Sequence, residues 1–424
     1  MPKHDSRFEV LIETMAHGGS GLGRWRGKTV FVPFTIPGER VLVEPVREQD
    51  NTIFARGVQL IEASADRVYP ACEGYFAESC VRCSWQHIAA PVQGLLKQDV
   101  LADQLERVGK LKSSELQAVL SPTILAPEVW QYMHQVTYLV TGEGSDRRLG
   151  LPGPDGRRAV RDRECALLHP DLLALRAALD IDLEGISRVK LMRGSDGALM
   201  IILSVQSEEA PELALDLPAS VNLLLPDNEP MNLVGDTAVV YSVGDHPLRV
   251  TAGSYVHPNA AMLPVLAAAV RDWLQPRPGD RVLDLYAAGG LFSLALAPLV
   301  AALTLVESYP PAATDAMVNL GDYPHVEIIE GGVDSVLPEL EGPFDAAVVE
   351  PPHTGLSAEA VRGLADLGVR RLVYSGDDPA TLGRDIRALG RAGFVLRRAA
   401  AVDRMPQTSF TDCLALFERN SQDR

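Results

Sequence analysis

Residues 281–290 read Arg281-Val282-Leu283-Asp284-Leu285-Tyr286-Ala287-Ala288-Gly289-Gly290. An apolar run closes on an aspartate and gives way to small residues that open a helix. Small residues at such a junction let the backbone approach a ligand at the carboxyl ends of a parallel sheet. The same alternation continues downstream. Ala302–Val306 reads as a strand, Ala312–Asn319 as a helix and Val326–Ile329 as a strand. Phe344–Val349, Arg371–Tyr374 and Gly393–Ala400 follow as further strands, and Pro264–Leu274 precedes the series as an apolar helix. Strands separated by helical crossovers predict an open parallel sheet with helices on both faces. The residues from 261 to 424 therefore read as one α/β domain.

Within that domain Glu307 closes the second strand, where an acidic residue accepts hydrogen bonds from ribose hydroxyls. A plain turn and a surface glutamate would look the same. A dinucleotide loop carries three spaced glycines, which this one lacks, so the loop favours S-adenosylmethionine over NAD.

Upstream the texture changes twice. Residues 1–62 alternate short apolar runs (Phe8–Ile12, Thr29–Phe34, Val41–Val46) with turn material, His17–Gly23 and Ile36–Glu39. Short strands at this spacing predict a small β-barrel. Residues 63–260 mix the two periodicities. Lys97–Val108 has helical spacing, and Arg188–Met192 pairs with Leu199–Val205 around Gly194-Ser195-Asp196-Gly197.

The composition sets outer limits. The 424 residues exceed one ordinary domain, and 46% hydrophobic with 22% charged residues is globular usage. A net charge of −17 argues against a non-specific nucleic-acid binder, although a local basic patch can sit on an acidic protein. Met1–Val10 is polar and charged, and the longest apolar stretch, Leu291–Val306, is broken by Ser293 and Pro298. A cytoplasmic protein with no membrane association is the expectation, and a monomer the expected state.

Five cysteines in such a chain favour metal binding or catalysis over disulfides. Cys72, Cys80 and Cys83 lie close together and Cys165 far downstream. Four thiolates hold zinc or an iron–sulfur cluster. Two C-x2-C knuckles would mark a zinc ribbon, and only one is present. The three-plus-one spacing fits a cluster better, with zinc and unligated thiols still open.

These stretches together resemble one family. Cys72…Cys80-Val81-Arg82-Cys83 with Cys165 resembles the 4Fe–4S site of the RNA uracil-5-methyltransferases. The barrel resembles their TRAM domain, an RNA-binding module, through His17–Gly23, Val30–Pro33 and Pro37-Gly38-Glu39. Ala252–Asn259 resembles the family stretch ending in Gln-x-Asn, and Asp284–Phe292 its cofactor loop. Glu350-Pro351-Pro352-His353 resembles Asp-Pro-Pro-Arg. Ser375–Leu382 resembles the stretch with Ser-Cys-Asn-Pro, and Pro406–Asp412 resembles Pro-His-Thr…Glu. The match is colinear across nearly the whole chain.

The resemblance implies an α/β architecture in three parts: a TRAM or OB-like barrel, an α+β central domain with the iron–sulfur site, and a Rossmann-like methyltransferase domain. It implies S-adenosylmethionine and a 4Fe–4S cluster as cofactors and structured RNA, rRNA or tRNA, as partner. Cys72, Cys80, Cys83 and Cys165 would hold the cluster. His257, Asp284, Tyr286, Gly289, Gly290, Glu307 and Glu350 would contact the methyl donor.

Carbon 5 of uracil is a poor nucleophile. Family members attack carbon 6 with a cysteine thiolate, and a glutamate later removes the carbon-5 proton. Here the nucleophile position reads as Gly376 and the base position as Asp412, one methylene shorter. The family Gln is His257, the Asp is Glu350, its Arg is His353, and the first loop glycine is Ala288. Cys413 adjoins Asp412. Neighbours on a strand point to opposite faces, so Cys413 reads as a buried small hydrophobe, with a substitute nucleophile as the alternative. His257 and His353 could be structural or surface residues, or part of a different acid–base site with Asp412 and Glu350.

Three functions follow. The first is an RNA methyltransferase whose acceptor atom need not be carbon 5 and whose target base would be flipped out of a structured RNA. The second is an RNA-binding relative without catalysis, and the third a methyltransferase on another substrate.

Overall fold

The computed structural model describes residues 7–72, 75, 83–153, 159–161, 165–206 and 218–419. Five strands, β1 (Phe8–Met15), β2 (Gly21–Trp25), β3 (Lys28–Val32), β4 (Arg40–Gln49) and β5 (Thr52–Glu62), close a barrel in the order β1-β2-β3-β5-β4. The glycine-rich stretch expected to be turn is half strand. Gly21 and Gly23 are glycines because neighbours press on them: a Cβ at Gly23 would lie 2.3 Å from Leu11 O, and one at Gly21 2.1 Å from Thr35 Oγ1. Alternate residues of β1, among them Val10 and Ile12, fill the barrel core with Val30, Val32 and Val43.

The central seven-stranded sheet comprises β7 (Gln135–Thr141), β8 (Arg148–Pro152), β9 (Ala159–Arg161), β10 (Ile186–Arg193), β11 (Leu199–Val205), β12 (Ala219–Leu224) and β13 (Pro230–Val234), after the short β6 (Ile124–Leu125). β10 and β11 pair antiparallel around Gly194–Gly197. The hairpin β14 (Ala238–Val243) and β15 (His246–Thr251) leads into the C-terminal domain.

There β16 (Arg281–Leu285), β17 (Ala302–Glu307), β18 (Val326–Glu330), β19 (Ala346–Val349), β20 (Arg371–Gly376), β21 (Phe394–Asp403) and β22 (Asp412–Arg419) form the sheet β18-β17-β16-β19-β20-β22-β21-β6. The first five strands are parallel, as their crossovers predict. β22 inserts antiparallel between β20 and β21. The expected all-parallel sheet thus ends in a hairpin-like edge, because the return from β21 to β22 is a loop rather than a helical crossover.

The helix Ala90–Arg107 packs on the helix Pro379–Arg391 and on β21, and β6 pairs with β21. Residues 90–125, assigned by texture to the central region, therefore cover this sheet. Buried layers line both its faces, one with Leu266, Val282 and Leu305, the other with Leu283, Val349 and Phe417. Burial on both faces explains why the strands read as continuous apolar runs. No helix among the described residues is long and apolar enough to cross a membrane.

Candidate functional site

A cavity of about 710 Å³ opens at the carboxyl ends of β16 to β20. That volume suits a small-molecule site, for which about 300–1,000 Å³ is typical. Its lining runs from Tyr286, Glu307 and Asp334 at one end to Glu350, Asp377 and Arg404 at the other.

Behind the first end, and not itself part of the lining, β16 places Asp284, which is 1% exposed. Ser293 donates to Asp284 Oδ2 at 2.6 Å, while Oδ1 has no partner among the described residues. Burial raises the Asp284 carboxyl to about 7, against the lowering by the Ser293 hydrogen bond. The following loop is strained. Tyr286 (φ 60°), Ala288 (φ 46°) and Gly290 (φ 85°) all take left-handed conformations, and only the last is a glycine. Glu307 holds the loop in place, accepting from Ala288 N at 2.8 Å and from Tyr309 N at 2.7 Å. Asn319 Nδ2 donates to Gly289 O at 2.8 Å. An orphaned buried carboxylate oxygen beside a close-approach loop fits an amine- and ribose-bearing ligand such as S-adenosylmethionine.

The second end is an ionic network. Arg404, at the start of the loop between β21 and β22, is 5% exposed. It donates through Nε to Asp412 Oδ2 at 2.6 Å and through Nη1 to Glu350 Oε1 at 3.2 Å. Nη1 also meets both ring nitrogens of His257, at 2.7 Å for Nε2. His257 Nε2 lies 3.1 Å from Glu350 Oε1, and Ser375 Oγ donates to the same oxygen at 3.2 Å. Burial works to raise the Glu350 pKa, but His257 and then Arg404 outweigh it and hold it at about 2. Glu350, His257 and Asp412 thus converge, as the sequence motifs led one to expect of neighbours. The cation they converge on carried no local signal in the sequence.

Asp377 is exposed to the cavity with no ion pair among the described residues. Burial, then repulsion from Asp412, raises its pKa. Its position corrects the sequence reading of the nucleophile. Pro379 acts as a ruler: counting back along Ser-Cys-Asn-Pro, the asparagine falls on Asp378, the cysteine on Asp377 and the serine on Gly376. The geometry agrees. A Cβ at Gly376 would point away from the cavity, 2.6 Å from Tyr374 Cε1 and 3.3 Å from Cys413 Sγ. Gly376 and Cys413 are register partners on β20 and β22, so they share that buried face. Asp378 caps the next helix, accepting from Ala380 N at 2.6 Å and Thr381 N at 3.0 Å.

Cys413 is 1% exposed, packs in the apolar layer with Tyr374, and is pushed well above the usual thiol pKa by burial. His353 is exposed at the rim, with its backbone carbonyl accepting from Thr381 Oγ1 at 2.9 Å.

The loop that presents Arg404 and Asp412 is held by segments far away in the sequence. Trp85 N donates to Gln407 O at 3.0 Å and Ser409 N to Ser84 Oγ at 2.9 Å. Gln407 N donates to Gln93 Oε1 at 2.7 Å, and Tyr132 Oη to Pro406 O at 2.8 Å. The fully buried Lys97 donates to Asp403, the residue before Arg404. These fasteners hold Gln407 in a left-handed conformation (φ 68°). The barrel reaches the same place: Gly19 O accepts from Trp85 Nε1 at 3.1 Å, and His17 lies 3.7 Å from Asp378.

Ser84 and Trp85 directly follow Cys83. Cys83 packs against the large buried layer of the central domain to which Cys165 also belongs. Cys72 N donates to Gln86 Oε1 at 3.0 Å. Cys80 lies outside the described residues. Among the described residues no three His, Cys, Asp or Glu side chains are grouped to hold a metal ion.

Residues 3–56 match the TRAM domain. Over its length the chain is 31% identical to an uncharacterized RNA methyltransferase of Streptomyces coelicolor, covering 97% of this chain and 92% of the relative. It is 32% identical to the 23S rRNA (uracil(1939)-C(5))-methyltransferase RlmD of Pseudomonas aeruginosa, covering 96% and 93%. Among solved structures, the Pyrococcus abyssi tRNA (uracil-54, C5)-methyltransferase in complex with S-adenosyl-L-homocysteine superposes with a TM-score of 0.71, over 97% of this chain and 100% of that one. Their identity is 18%, so this likeness concerns the fold.

Proposed function

The chain belongs to the RNA uracil-5-methyltransferase family, and from that premise we propose that it methylates a base in a folded rRNA or tRNA by a route that does not pass through a thiolate adduct. It is an S-adenosylmethionine-dependent RNA methyltransferase; the acceptor and the route are the new elements. The observation that carries them is the carboxylate of Asp377 standing in the cavity where the family motif has its cysteine. The other candidate thiol, Cys413, faces the apolar layer behind the sheet.

In this reading Asp284, Gly289, Gly290 and Glu307 hold the methyl donor, which supplies an electrophilic methyl group. Glu350 and His257 fix Arg404 at the acceptor end, and Asp412 orients its guanidinium. Asp412 is thereby engaged in an ion pair rather than free as the base that its family position suggests.

Cys72, Cys80, Cys83 and Cys165 would hold the 4Fe–4S cluster. The donor set supports this, since four thiolates suit such a cluster. Its place in this reading is to stiffen the segment that carries Ser84 and Trp85. Iron and sulfide content of anaerobically purified protein measures it directly.

Calorimetry with S-adenosylmethionine and transfer of labelled methyl to unmodified rRNA and tRNA transcripts test the reading. Binding with transfer is expected, and 5-fluorouracil-containing RNA is expected to leave no covalent adduct on denaturing gels. A folded protein that binds no S-adenosylmethionine would instead be an RNA-binding relative without catalysis. The non-glycine residues at left-handed positions of the cofactor loop are the observation on that side.

A further inference from the structure

We infer that the acceptor is a ring N–H flanked by a carbonyl, with Asp377 as the general base that takes its proton and Arg404 as the donor to the carbonyl oxygen. The inference rests on the methyltransferase reading above and specifies its substrate.

Three features of the cavity converge on it. Asp377 carries a carboxylate that faces the cavity and is spent on no cation among the described residues. Arg404 lines the same cavity. Its Nε and Nη1 are committed to Asp412, Glu350 and His257, but its Nη2 has no acceptor among the described residues. The guanidinium is also 5% exposed and held from three sides by Asp412, Glu350 and His257. A free acceptor beside a fixed donor is the complement of an N–H next to a C=O. Uracil offers that pair at N3 and O4, guanine at N1 and O6.

The chemistry balances without a thiolate. The acceptor nitrogen gives its proton to a carboxylate oxygen of Asp377, and its electron pair forms the N–C bond to the transferred methyl. The methyl's bond to sulfur breaks with its pair left on sulfur. Arg404 stabilises the negative charge that develops on the carbonyl oxygen as the proton leaves. A raised carboxylate pKa at Asp377, caused by burial and by Asp412, brings the base closer to the pKa of its task. Carbon 5 offers no such path. It has no lone pair, and activating it needs a nucleophile on carbon 6. The aspartate supplies only a weakly nucleophilic, delocalised carboxylate.

The test uses the 424-residue protein purified anaerobically, methyl-labelled S-adenosylmethionine, and unmodified rRNA and tRNA transcripts, followed by digestion to nucleosides and mass spectrometry. 3-Methyluridine or 1-methylguanosine supports the inference, and which of the two appears identifies the base. 5-Methyluridine overturns it while leaving the methyltransferase reading in place. No transfer to any transcript by a protein that binds the donor overturns both.

Two variants tie the outcome to the residues. Asp377→Asn is expected to reduce transfer at least 100-fold, the lower end of what general bases contribute, with donor affinity changed less than about 3-fold, under 1 kcal/mol. Asp377→Cys restores the thiol at the family position and is expected to form an adduct with 5-fluorouracil RNA that the parent protein does not form. Unchanged transfer by Asp377→Asn removes the residue from the chemistry.

Discussion

The two ends of one cavity follow different rules. At the cofactor end backbone geometry dominates: Asp284 on its strand, Glu307 holding the loop, Gly290 left-handed. At the acceptor end of the proposed reading the ionisable groups form a network, with Asp377 facing the cavity and Arg404 knitting Glu350, His257 and Asp412 together. The first end needs backbone geometry, which several residues can supply at a cost in strain. The second needs particular atoms, so a change in one residue demands compensation from its neighbours. Removing one charge from such a cluster leaves the others uncompensated.

The largest effect should come from breaking the second end. Arg404→Met leaves Asp412 without its cation and Glu350 with His257 alone in a largely buried network. A loss of about 3–5 kcal/mol is expected, as for other buried pairs stripped of one partner, read as a lower urea midpoint at unchanged slope. A loss under about 1 kcal/mol would mean the network is wet and loosely held.

Next comes the buried carboxyl at the first end. The Asp284 pKa is raised in the fold from 3.8 to about 7. The neutral form is the one the fold accepts. Its contribution is therefore complete below pH 3.8 and is lost as the pH rises through about 7. Asp284→Asn should remove that slope. The variant should gain stability on the parent, on the order of a few kcal/mol at pH 8 without ligand, while binding S-adenosylhomocysteine more weakly. Equal stability differences at pH 4 and pH 8 would show that the carboxyl is not isolated from water.

A smaller effect separates the two ends mechanically. Ser84→Ala removes the hydroxyl that accepts from Ser409 N. About 1 kcal/mol of stability should go, together with faster amide exchange across residues 404–412 and no change at the cofactor loop. Exchange that rises equally at both places would mean that the ends are not separately supported.

The smallest concerns Cys413. Cys413→Ala should cost about 0.5 kcal/mol through lost packing and leave methyl transfer intact. Loss of transfer without loss of stability would return the thiol to the chemistry.

The parallel strands, their crossovers and the cofactor loop were legible because burial on both faces and close backbone approach constrain residue types locally. The barrel was half legible: Gly21 and Gly23 read as turn, since nothing in the sequence distinguishes a glycine needed for φ from one needed for room beside Leu11 and Thr35. The insertion of β22 between β20 and β21 was not legible at all, because antiparallel pairing across a ten-residue sheet edge is a non-local choice. That insertion puts Cys413 opposite Gly376 and turns both away from the cavity.

The sequence by itself determined the three-part architecture, the family and the cofactor, since each rests on short-range patterns of apolar period, glycine and motif spacing. The spacing from Pro379 offered Asp377 for the cysteine position, and the tertiary structure decided that Asp377 rather than Gly376 opens on the cavity. A one-residue shift in register reverses the face a side chain points to, so Gly376 and Asp377 exchange roles once the strand is placed. Only the tertiary structure disclosed Arg404, because a charge becomes a structural element when His257 and Glu350 from distant segments and Asp412 from the next strand close around it.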